Sequence, residues 1–306
     1  MSIKSTMKLR STLAQWLTLV EVDKAGSIQA ASNALNKSHT TLIYAIKKLE
    51  NQLGVSLIKV EGRKSVLTDH AKTLLRRAVP MLDQARELEA IGAQLSQGME
   101  SEITISIDHL CCRRWLYRPL QTFFANNRGT SVQIRETNLS STQAAVKNRL
   151  ADIAIVNLPV ENHLAEAFGV VSMIPVVSRH HPLAGKELIG NDDLLTETQI
   201  VIRDLGAIDK PEEQNVGWLK SQRRLTVDNF DHAWQAVNAG LGFCRIPDHM
   251  LEELDTSEIV RLPLQGGSRY QVPVHLVAPK GGQTGIAANL LYDILLADAR
   301  KRLNQG

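Results

Sequence analysis

The chain has 306 residues, enough for about two domains, and its apolar (43%) and charged (22%) fractions are ordinary for a globular protein. No apolar run approaches the roughly 20 residues that a membrane helix needs, and the first residues lack the apolar stretch of a secretory signal. Three cysteines are too few for a disulfide framework. We therefore expect a cytoplasmic protein with no membrane partner.

The net charge of +3 is unevenly distributed along the chain. Residues 1–70 hold ten Lys or Arg against five Asp or Glu, whereas residues 101–306 hold 21 against 23. Cations concentrated in the N-terminal fifth predict a polyanionic partner, because phosphate neutralisation dominates affinity for nucleic acids. A basic solvated surface would give the same count, so charge alone does not decide between the two.

Three short helices are predicted in the N-terminal segment. Apolar residues recur at helical spacing over residues 12–24, and Gly26-Ser27 then ends this helix and caps the next. Ser38 is expected to cap a third helix. The apolar stripe of that third helix consists of Leu42, Ile46, Leu49 and Leu53. Two helices joined by a tight turn, the second with a polar outer face, are typical of a helix-turn-helix.

A wing is predicted after the third helix, with strands at 55–60 and 65–67. Residues near the start of a recognition helix reach base edges, while its cap and backbone N–H groups can hold a phosphate. The predicted DNA-binding residues are Ser27, Ser38, His39, Thr40, Thr41, Ile43, Tyr44, Lys47, Lys48, Arg63 and Lys64. For Lys47 and Lys48 a merely solvated helix face is the alternative.

The same segment carries a family likeness in its spacing of small, apolar and capping residues. The matching stretches are Gly26-Ser27-Ile28, Ala30-Ala31, Leu35-Asn36-Lys37-Ser38, Ile46-Lys47-Lys48-Leu49-Glu50, Leu53-Gly54-Val55, Gly62-Arg63 and Leu67-Thr68. Together they resemble the DNA-binding domain of the LysR family of transcription regulators. The chain departs at His39-Thr40 and Ile43-Tyr44, where the family usually has Gln-Pro and Ser-Arg. Because an Arg fork suits guanine or a narrow minor groove, we expect a different operator sequence.

A long amphipathic helix is predicted within the connecting segment 69–98, capped by Thr68 and interrupted by Pro80. Its apolar stripe, at near-heptad spacing, consists of Leu74, Leu75, Ala78, Met81, Leu82, Ala85, Leu88 and Ile91. Such a stripe favours dimerisation, with packing on its own chain as the alternative. The resemblance implies an antiparallel dimer of these helices and a tetramer built from two dimers. The predicted DNA-binding domain is 1–68.

Strands alternate with helices from residue 99 onward, which favours a doubly wound α/β fold. The family likeness continues through residues 150–156, 181–184 and 239–243. It implies that residues 99–306 form a two-lobed, periplasmic-binding-protein-like effector domain. The expected first lobe is about 99–165 and 274–306, and the second is about 166–273. The expected fold is thus a winged helix-turn-helix, a linker helix and an α/β effector domain.

Ligands of open α/β sheets bind outside the carboxyl ends of the strands. The residues that this rule selects as effector-binding are Asp108, His109, Cys111, Cys112, Thr137, Asn138, Ser141, Arg203, Asp204, Phe243 and Arg245. A buried Arg needs an anionic partner, so Arg203 and Arg245 are expected to hold an anionic effector. Pairing with a structural acid, such as Asp204 or Asp248, is the alternative.

These patterns predict a transcription regulator, activating or repressing, that is controlled by a small anionic metabolite. A redox-responsive regulator is the alternative, because Cys111 and Cys112 lie where a helix N-terminus could lower a thiol pKa. An enzyme is disfavoured, since the sequence has no Gly-rich phosphate loop, no Gly-x-Ser-x-Gly elbow and no metal-ligand cluster. We expect no cofactor. The predicted partners are double-stranded DNA, the effector and further copies of the chain, and RNA polymerase is left open.

Overall fold

The computed structural model describes residues 9–61, 64–158, 160–206, 217, 219–253 and 256–305. The chain divides into two compact units, residues 1–93 and 94–306. No helix among the described residues is long and apolar enough to cross a membrane. The first unit comprises the predicted DNA-binding segment with most of the connecting helix, and the second comprises the predicted effector domain.

The first unit consists of three short helices, a hairpin and a long helix. Its elements are α1 (Leu13–Ala25), α2 (Ile28–Ala34), α3 (His39–Leu53), β1 (Ile58–Glu61), β2 (Lys64–Leu67) and α4 (Asp69–Ser96). The two strands pair antiparallel, with Lys59 opposite Val66. The predicted helix-turn-helix and wing are therefore both present.

Side-chain caps explain where these helices begin and end. The Ser27 hydroxyl accepts the N–H of Ala30 at 3.1 Å, and the Ser38 hydroxyl accepts the N–H of Thr41 at 3.1 Å. Each serine thereby satisfies a donor that the start of a helix leaves unpaired. Gly26 ends α1 with φ at 70°, a left-handed conformation that glycine adopts without a Cβ clash.

The apolar stripe predicted for α3 forms part of the core of the first unit. Leu42 and Leu49 have no exposed surface and Ile46 is 2% exposed. Burying a side chain of this kind contributes about 1.5–3 kcal/mol. Packing of this stripe against α1 and α2 leaves the polar face of α3 outward.

The wing begins later than predicted. Residues 55–57 are not part of β1, which starts at Ile58. The reason is Glu50 on α3, whose carboxylate accepts the N–H of Leu57 at 2.6 Å and that of Ile58 at 3.1 Å. These bonds hold the backbone of Leu57 and Ile58 against α3 and occupy N–H groups that could otherwise pair with a neighbouring strand.

Helix α4 continues through Pro80, so the prediction that this residue interrupts the helix is wrong. The buried part of its predicted stripe consists of Leu75, Ala78 and Leu82. Other members of the stripe are exposed, with Leu88 at 69% and Met81 at 38%, whereas Ala85 and Ile91 are half-buried. The chain's own core therefore accounts for only part of the apolar face of α4.

The second unit is a mixed α/β structure. Its strands are β3 (Glu102–Asp108), β4 (Ser131–Thr137), β5 (Ile153–Val156), β6 (Ala165–Ser178), β7 (Thr198–Ile202), β8 (Arg223–Val227), β9 (Cys244–Pro247), β10 (Ile259–Arg261) and β11 (Tyr270–Val277). Its helices are α5 (Arg114–Asn126), α6 (Leu139–Lys147), α7 (Asn191–Leu195), α8 (Phe230–Asn238), α9 (Met250–Glu253) and α10 (Ile286–Leu303). The alternation of strands and helices predicted from the sequence is present.

The described strands of this unit form a seven-stranded mixed sheet and a separate two-stranded sheet of β7 and β8. Strand β3 lies between β4 and β5 and is parallel to both, while β7 is parallel to β8. Strand β11 joins β5 to β6, and β6 also pairs with β9 and β10. We call β3, β4, β5, α5 and α6 the β3 side, and β7, β8, β9 and α8 the β7 side. One buried apolar cluster contains residues of both sides, among them Ile105 and Ile200.

Candidate DNA interface and effector cleft

The outer face of α3 is the candidate DNA interface. The predicted contact residues that are exposed on this face are His39, Thr40, Thr41, Tyr44, Lys47 and Lys48. Tyr44 is 68% exposed. In the part of the first unit that the structure describes, no ion pair involves Lys47 or Lys48. Arg63 and the side chain of Lys64, predicted for the wing tip, lie outside the described residues.

Five of the predicted contact residues also make contacts within this unit. The hydroxyls of Ser27 and Ser38 cap helices, and Ser38 Oγ lies 2.9 Å from Thr40 Oγ1 and 2.7 Å from Thr41 Oγ1. Ile43 is half-buried against the apolar cluster of α3. Only part of the Ile43 side chain is therefore available for a thymine methyl group.

The second candidate site is a cavity of about 180 Å³ whose wall combines residues of the β3 side and the β7 side. Its lining includes the apolar residues Leu110, Leu139, Met173, Ile200, Val201, Ile202, Phe230 and Val272, together with Gly217 and Cys244. Its polar lining includes Asp108, His109, Asn157, Gln199, Arg245 and Tyr270. The fold thus brings together three of the predicted effector residues, namely Asp108, His109 and Arg245.

Arg245 supplies a cation to this cavity. Its guanidinium carbon lies 5.2 Å from the centroid of the Tyr270 ring, within the range of a cation–π contact. Burial raises the pKa of the Tyr270 hydroxyl, which the charge of Arg245 partly offsets. The ring and the guanidinium therefore form a half-buried, positively charged patch on the cavity wall.

The acids considered as partners of Arg245 are engaged elsewhere. Asp248 pairs with Arg269 at 3.0 Å, and Asp204 accepts the hydroxyl of Ser140 at 2.8 Å. No ion pair of the described residues includes Arg245. Structural pairing with Asp204 or Asp248, the alternative reading of this arginine, does not occur.

Arg203 has the opposite surroundings. Its Nε lies 2.5 Å from Oδ1 of Asp228, and the two side chains are 42% and 54% exposed. Arg203 is not among the residues that line the cavity. The expected pair of effector-binding arginines is thus not assembled, and Arg203 has a structural acid as its partner, which is Asp228 rather than Asp204.

Asp108 ends β3 and is 1% exposed. Its carboxylate accepts the N–H of Leu110 at 3.1 Å, the N–H of Leu139 at 3.0 Å and the hydroxyl of Thr142 at 3.2 Å. Burial raises the pKa of Asp108 to about 6, and the charge of Asp204 adds to this, while the three hydrogen bonds lower it. The group is therefore mostly ionised at neutral pH and gains a proton in mildly acidic solution.

His109 lies in the same cavity, with its ring centroid 4.8 Å from that of Phe230. Burial lowers the pKa of His109 to about 4, the charge of Arg113 lowers it further, and Asp231 raises it. The imidazole is therefore neutral at neutral pH and can donate one hydrogen bond and accept another.

Four other predicted effector residues contact the protein itself and do not face the cavity. The hydroxyl of Thr137 lies 3.0 Å from that of Ser106, and the hydroxyl of Ser141 donates to the carbonyl of Asn138 at 2.7 Å. Asn138 has no exposed surface, and Phe243 belongs to a separate apolar cluster at 2% exposed. None of these four lines the cavity.

The three cysteines Cys111, Cys112 and Cys244 are free, buried thiols. Burial raises the pKa of Cys111 well above its ordinary value, and the charge of Asp108 adds to this; burial also raises the pKa of Cys244 to about 12. Burial therefore acts on the pKa of Cys111 in the direction opposite to the lowering that a helix start could produce. The thiols of Cys111 and Cys112 are 1% and 2% exposed, and burial of this kind limits the access of an oxidant, which disfavours the redox alternative. No cluster suited to a metal ion occurs among the described residues.

Three polar residues that the sequence did not single out line the cavity: Asn157, Gln199 and Tyr270. Asn157 directly follows β5, so the strand-end rule that selected Asp108 could have found it. Its Oδ1 is buried and has no hydrogen-bond partner among the described residues. Tyr270 carried no signal, since it reaches the cavity only because β11 pairs with β6.

Comparisons with known proteins agree with this architecture. Residues 13–72 match the family model described as the bacterial regulatory helix-turn-helix protein of the lysR family, and residues 96–300 match the LysR substrate binding domain. The HTH-type transcriptional regulator YeeY of Escherichia coli is 27% identical, over 92% of each chain. The RuBisCO operon transcriptional regulator of Allochromatium vinosum is 24% identical, over 95% of this chain and 97% of that one.

Among solved structures, full-length LysG of Corynebacterium glutamicum matches with a TM-score of 0.49 at 19% identity, over 95% of this chain and 98% of that one. The two family models leave few residues between 13 and 300 unmatched, and they occur in the order of the two units described above. The chain belongs to the LysR family of transcriptional regulators.

Proposed function

We propose that this chain is a sequence-specific DNA-binding regulator whose affinity for its operator changes when a small carboxylate binds beside Arg245. The observation that carries the proposal is the guanidinium of Arg245, held over Tyr270 in a mostly apolar cavity without a carboxylate partner among the described residues. A partly desolvated cation without a counterion is unfavourable, and a ligand anion would relieve that cost.

The cavity limits the size of such a ligand. An apolar cavity of about 150 Å³ holds benzene, so a volume of about 180 Å³ suits roughly six to nine non-hydrogen atoms. The apolar walls favour a branched-chain or aromatic body with a single carboxylate. Isovalerate and benzoate are suitable probes of this class, and isovaleramide and benzamide are their uncharged counterparts.

Regulation requires that the ligand bind one state of the protein better than another, because equal affinity for both shifts nothing. We expect the active form to be at least a dimer in the cytoplasm, joined through the uncovered stripe of α4, in which Leu88 is 69% exposed. Two recognition helices would then read two half-sites of one operator. A tetramer of two such dimers is the arrangement that the family resemblance implies.

The ligand half of the proposal is tested by isothermal titration calorimetry of the full chain with both acids and both amides. The acids are expected to bind and the amides to bind at least tenfold more weakly. Arg245→Ala is expected to weaken acid binding tenfold or more, the loss of about 1.4 kcal/mol or more. Arg203→Ala is the matched control, because that arginine is exposed and paired with Asp228. Equal losses in both variants, or no acid binding, would refute the carboxylate site.

The DNA half is tested by selecting operators from a random DNA pool and measuring affinity with and without the bound acid. Exchanging Ile43-Tyr44 for Ser-Arg is expected to change the selected sequence, because these side chains lie on the face of α3. Lys47→Ala is expected to weaken binding to all sequences alike and to reduce the salt slope by about one. An unchanged operator preference in the Ser-Arg variant would contradict the assignment of this face.

A further inference from the structure

The first turn of α6 holds two carboxylates from distant parts of the chain. Asp108, at the end of β3, accepts the backbone N–H of Leu139 at 3.0 Å. Asp204, which follows β7, accepts the backbone N–H of Ser140 at 3.2 Å and its hydroxyl at 2.8 Å. The first N–H groups of a helix lack partners within the helix and lie at the positive end of its dipole, so they favour anions.

Asp204 belongs to the segment that follows β7, so its contact with α6 connects the β7 side to the β3 side. The side chain is 7% exposed, and Asn138, just before α6, has no exposed surface. The Asn138 amide donates to the carbonyl of Arg203 at 2.7 Å and accepts the N–H of Leu205 at 2.9 Å. Buried side chains on both sides of the contact therefore hold the backbone of residues 203–205 against the start of α6.

The neighbouring backbone leaves no free space at this contact. The N–H of Gly206 donates to Asp204 Oδ1 at 3.0 Å. A Cβ atom at Gly206 would lie only 2.5 Å from the backbone nitrogen of Ser141. The loop after β7 therefore lies directly on the first turn of α6, where it also shields the carboxylate from water.

We propose that Asp204 acts as a built-in anionic ligand, which occupies the N-terminus of α6 and joins the β3 and β7 sides without any effector. Because Asp204 is tethered, its effective concentration at the helix is in the millimolar range or higher, so dilute free anions do not displace it. The carboxylate of an effector is then excluded from this edge of the cleft and left with Arg245. This inference concerns the protein alone and does not depend on an effector binding beside Arg245.

The test replaces the tethered carboxylate with a free one. All variants carry Arg245→Ala, so that acetate binding at the proposed effector site cannot contribute. Asp204→Ala is expected to lower the Tm of the second unit by about 5 °C, because charge-assisted bonds to a buried carboxylate are lost. Sodium acetate, compared with sodium chloride at equal ionic strength, is expected to restore about half of that loss, with saturation in the millimolar range. The protein that carries Arg245→Ala alone is expected to show no saturable effect of acetate on its Tm.

Asp228→Ala is the matched control, since Asp228 also follows a strand of the β7 side but is 54% exposed. It is expected to change the Tm little and to show no acetate response. The proposal would be overturned if acetate did not raise the Tm of Asp204→Ala, or if it raised the Tm of Asp228→Ala by the same amount. If Asp204→Ala folds only in acetate, the proposal is supported.

Asp204→Asn gives an independent readout, because it keeps the size of the side chain and removes its charge. Faster amide hydrogen exchange is expected in peptides that cover the first turn of α6, with unchanged exchange in α5, and acetate is expected to have no effect because the amide still fills the site. Unchanged exchange in α6 would overturn the proposal, even if Asp204→Ala does not fold under any condition.

Discussion

The two edges of the cleft in the second unit treat charge in opposite ways. At the start of α6, the carboxylates of Asp108 and Asp204 are buried and receive hydrogen bonds from the protein itself. At β9, the guanidinium of Arg245 is half-buried and contacts the ring of Tyr270 without a carboxylate partner among the described residues. We call the start of α6 the closed edge, because its charges are satisfied by the protein and hold the structure together. We call the part of the cleft at β9 the open edge, because the charge of Arg245 has no such partner among the described residues.

The two arginines of this region show the same difference. Arg203 lies next to the closed edge and forms an exposed pair with Asp228, a type of pair that typically contributes at most about 1 kcal/mol. Arg245 lies in the cavity, where none of the described residues forms an ion pair with it. Residue type alone therefore does not identify a ligand-binding cation; its partners do.

The largest expected effect comes from forcing the closed edge apart. Gly206→Ala would place a Cβ atom 2.5 Å from the backbone nitrogen of Ser141, so the loop after β7 has to leave α6 and lose its bonds to Ser140 and Asn138. We expect a loss of about 4 kcal/mol in the free energy of unfolding, measured by urea denaturation. Gly185→Ala is the control, because a Cβ there meets nothing within 4 Å. A loss of the same size in both variants would mean that the closed edge is not the cause.

A smaller effect is expected from the pH dependence of Asp108 and His109. The pKa of Asp108 rises from 3.8 to about 6 on folding. Its contribution to the free energy of unfolding is therefore complete below about pH 4 and is lost as the pH rises through 6. The pKa of His109 falls from 6.5 to about 4, so its contribution is complete above 6.5 and is lost as the pH falls through 4. The two contributions therefore oppose each other over nearly the same pH range.

His109→Gln is expected to remove the contribution of His109 to the free energy of unfolding and to retain that of Asp108. The free energy of unfolding of the variant, relative to wild type, should then rise by about 2 kcal/mol between pH 7.5 and pH 5. Urea denaturation at the two pH values measures this difference. His180→Gln is the control, because His180 is 79% exposed and pairs with Glu258 at the surface. A relative stability that does not change with pH would show that the burial of His109 has no such consequence.

The smallest expected effect concerns the open edge. Tyr270→Leu removes the ring beneath the guanidinium of Arg245, and a cation–π contact of this kind contributes about 0.5–1 kcal/mol. We expect the Kd of benzoate, measured by calorimetry, to rise about twofold to fivefold. Tyr270→Phe keeps the ring and should leave the Kd nearly unchanged. If the Phe variant loses as much affinity as the Leu variant, the hydroxyl rather than the ring positions the arginine.

Local sequence signals predicted the first unit well. The caps Ser27 and Ser38, the helix end at Gly26 and the stripe of α3 depend on residues within one or two turns of each other, so a short window contains the relevant physics. The start of the wing was missed because it depends on Glu50, which binds the backbone of residues seven and eight positions farther along.

In the second unit the sequence determined the alternation of strands and helices and the strand ends at which polar residues collect. It did not determine which of those residues would line the cavity. Asn138 and Asp204 are consumed by bonds to partners more than 60 positions away, and Tyr270 reaches Arg245 only through the pairing of β11 and β9 with β6. Side-chain chemistry is local, but whether a polar group is satisfied depends on the partners that tertiary packing brings to it.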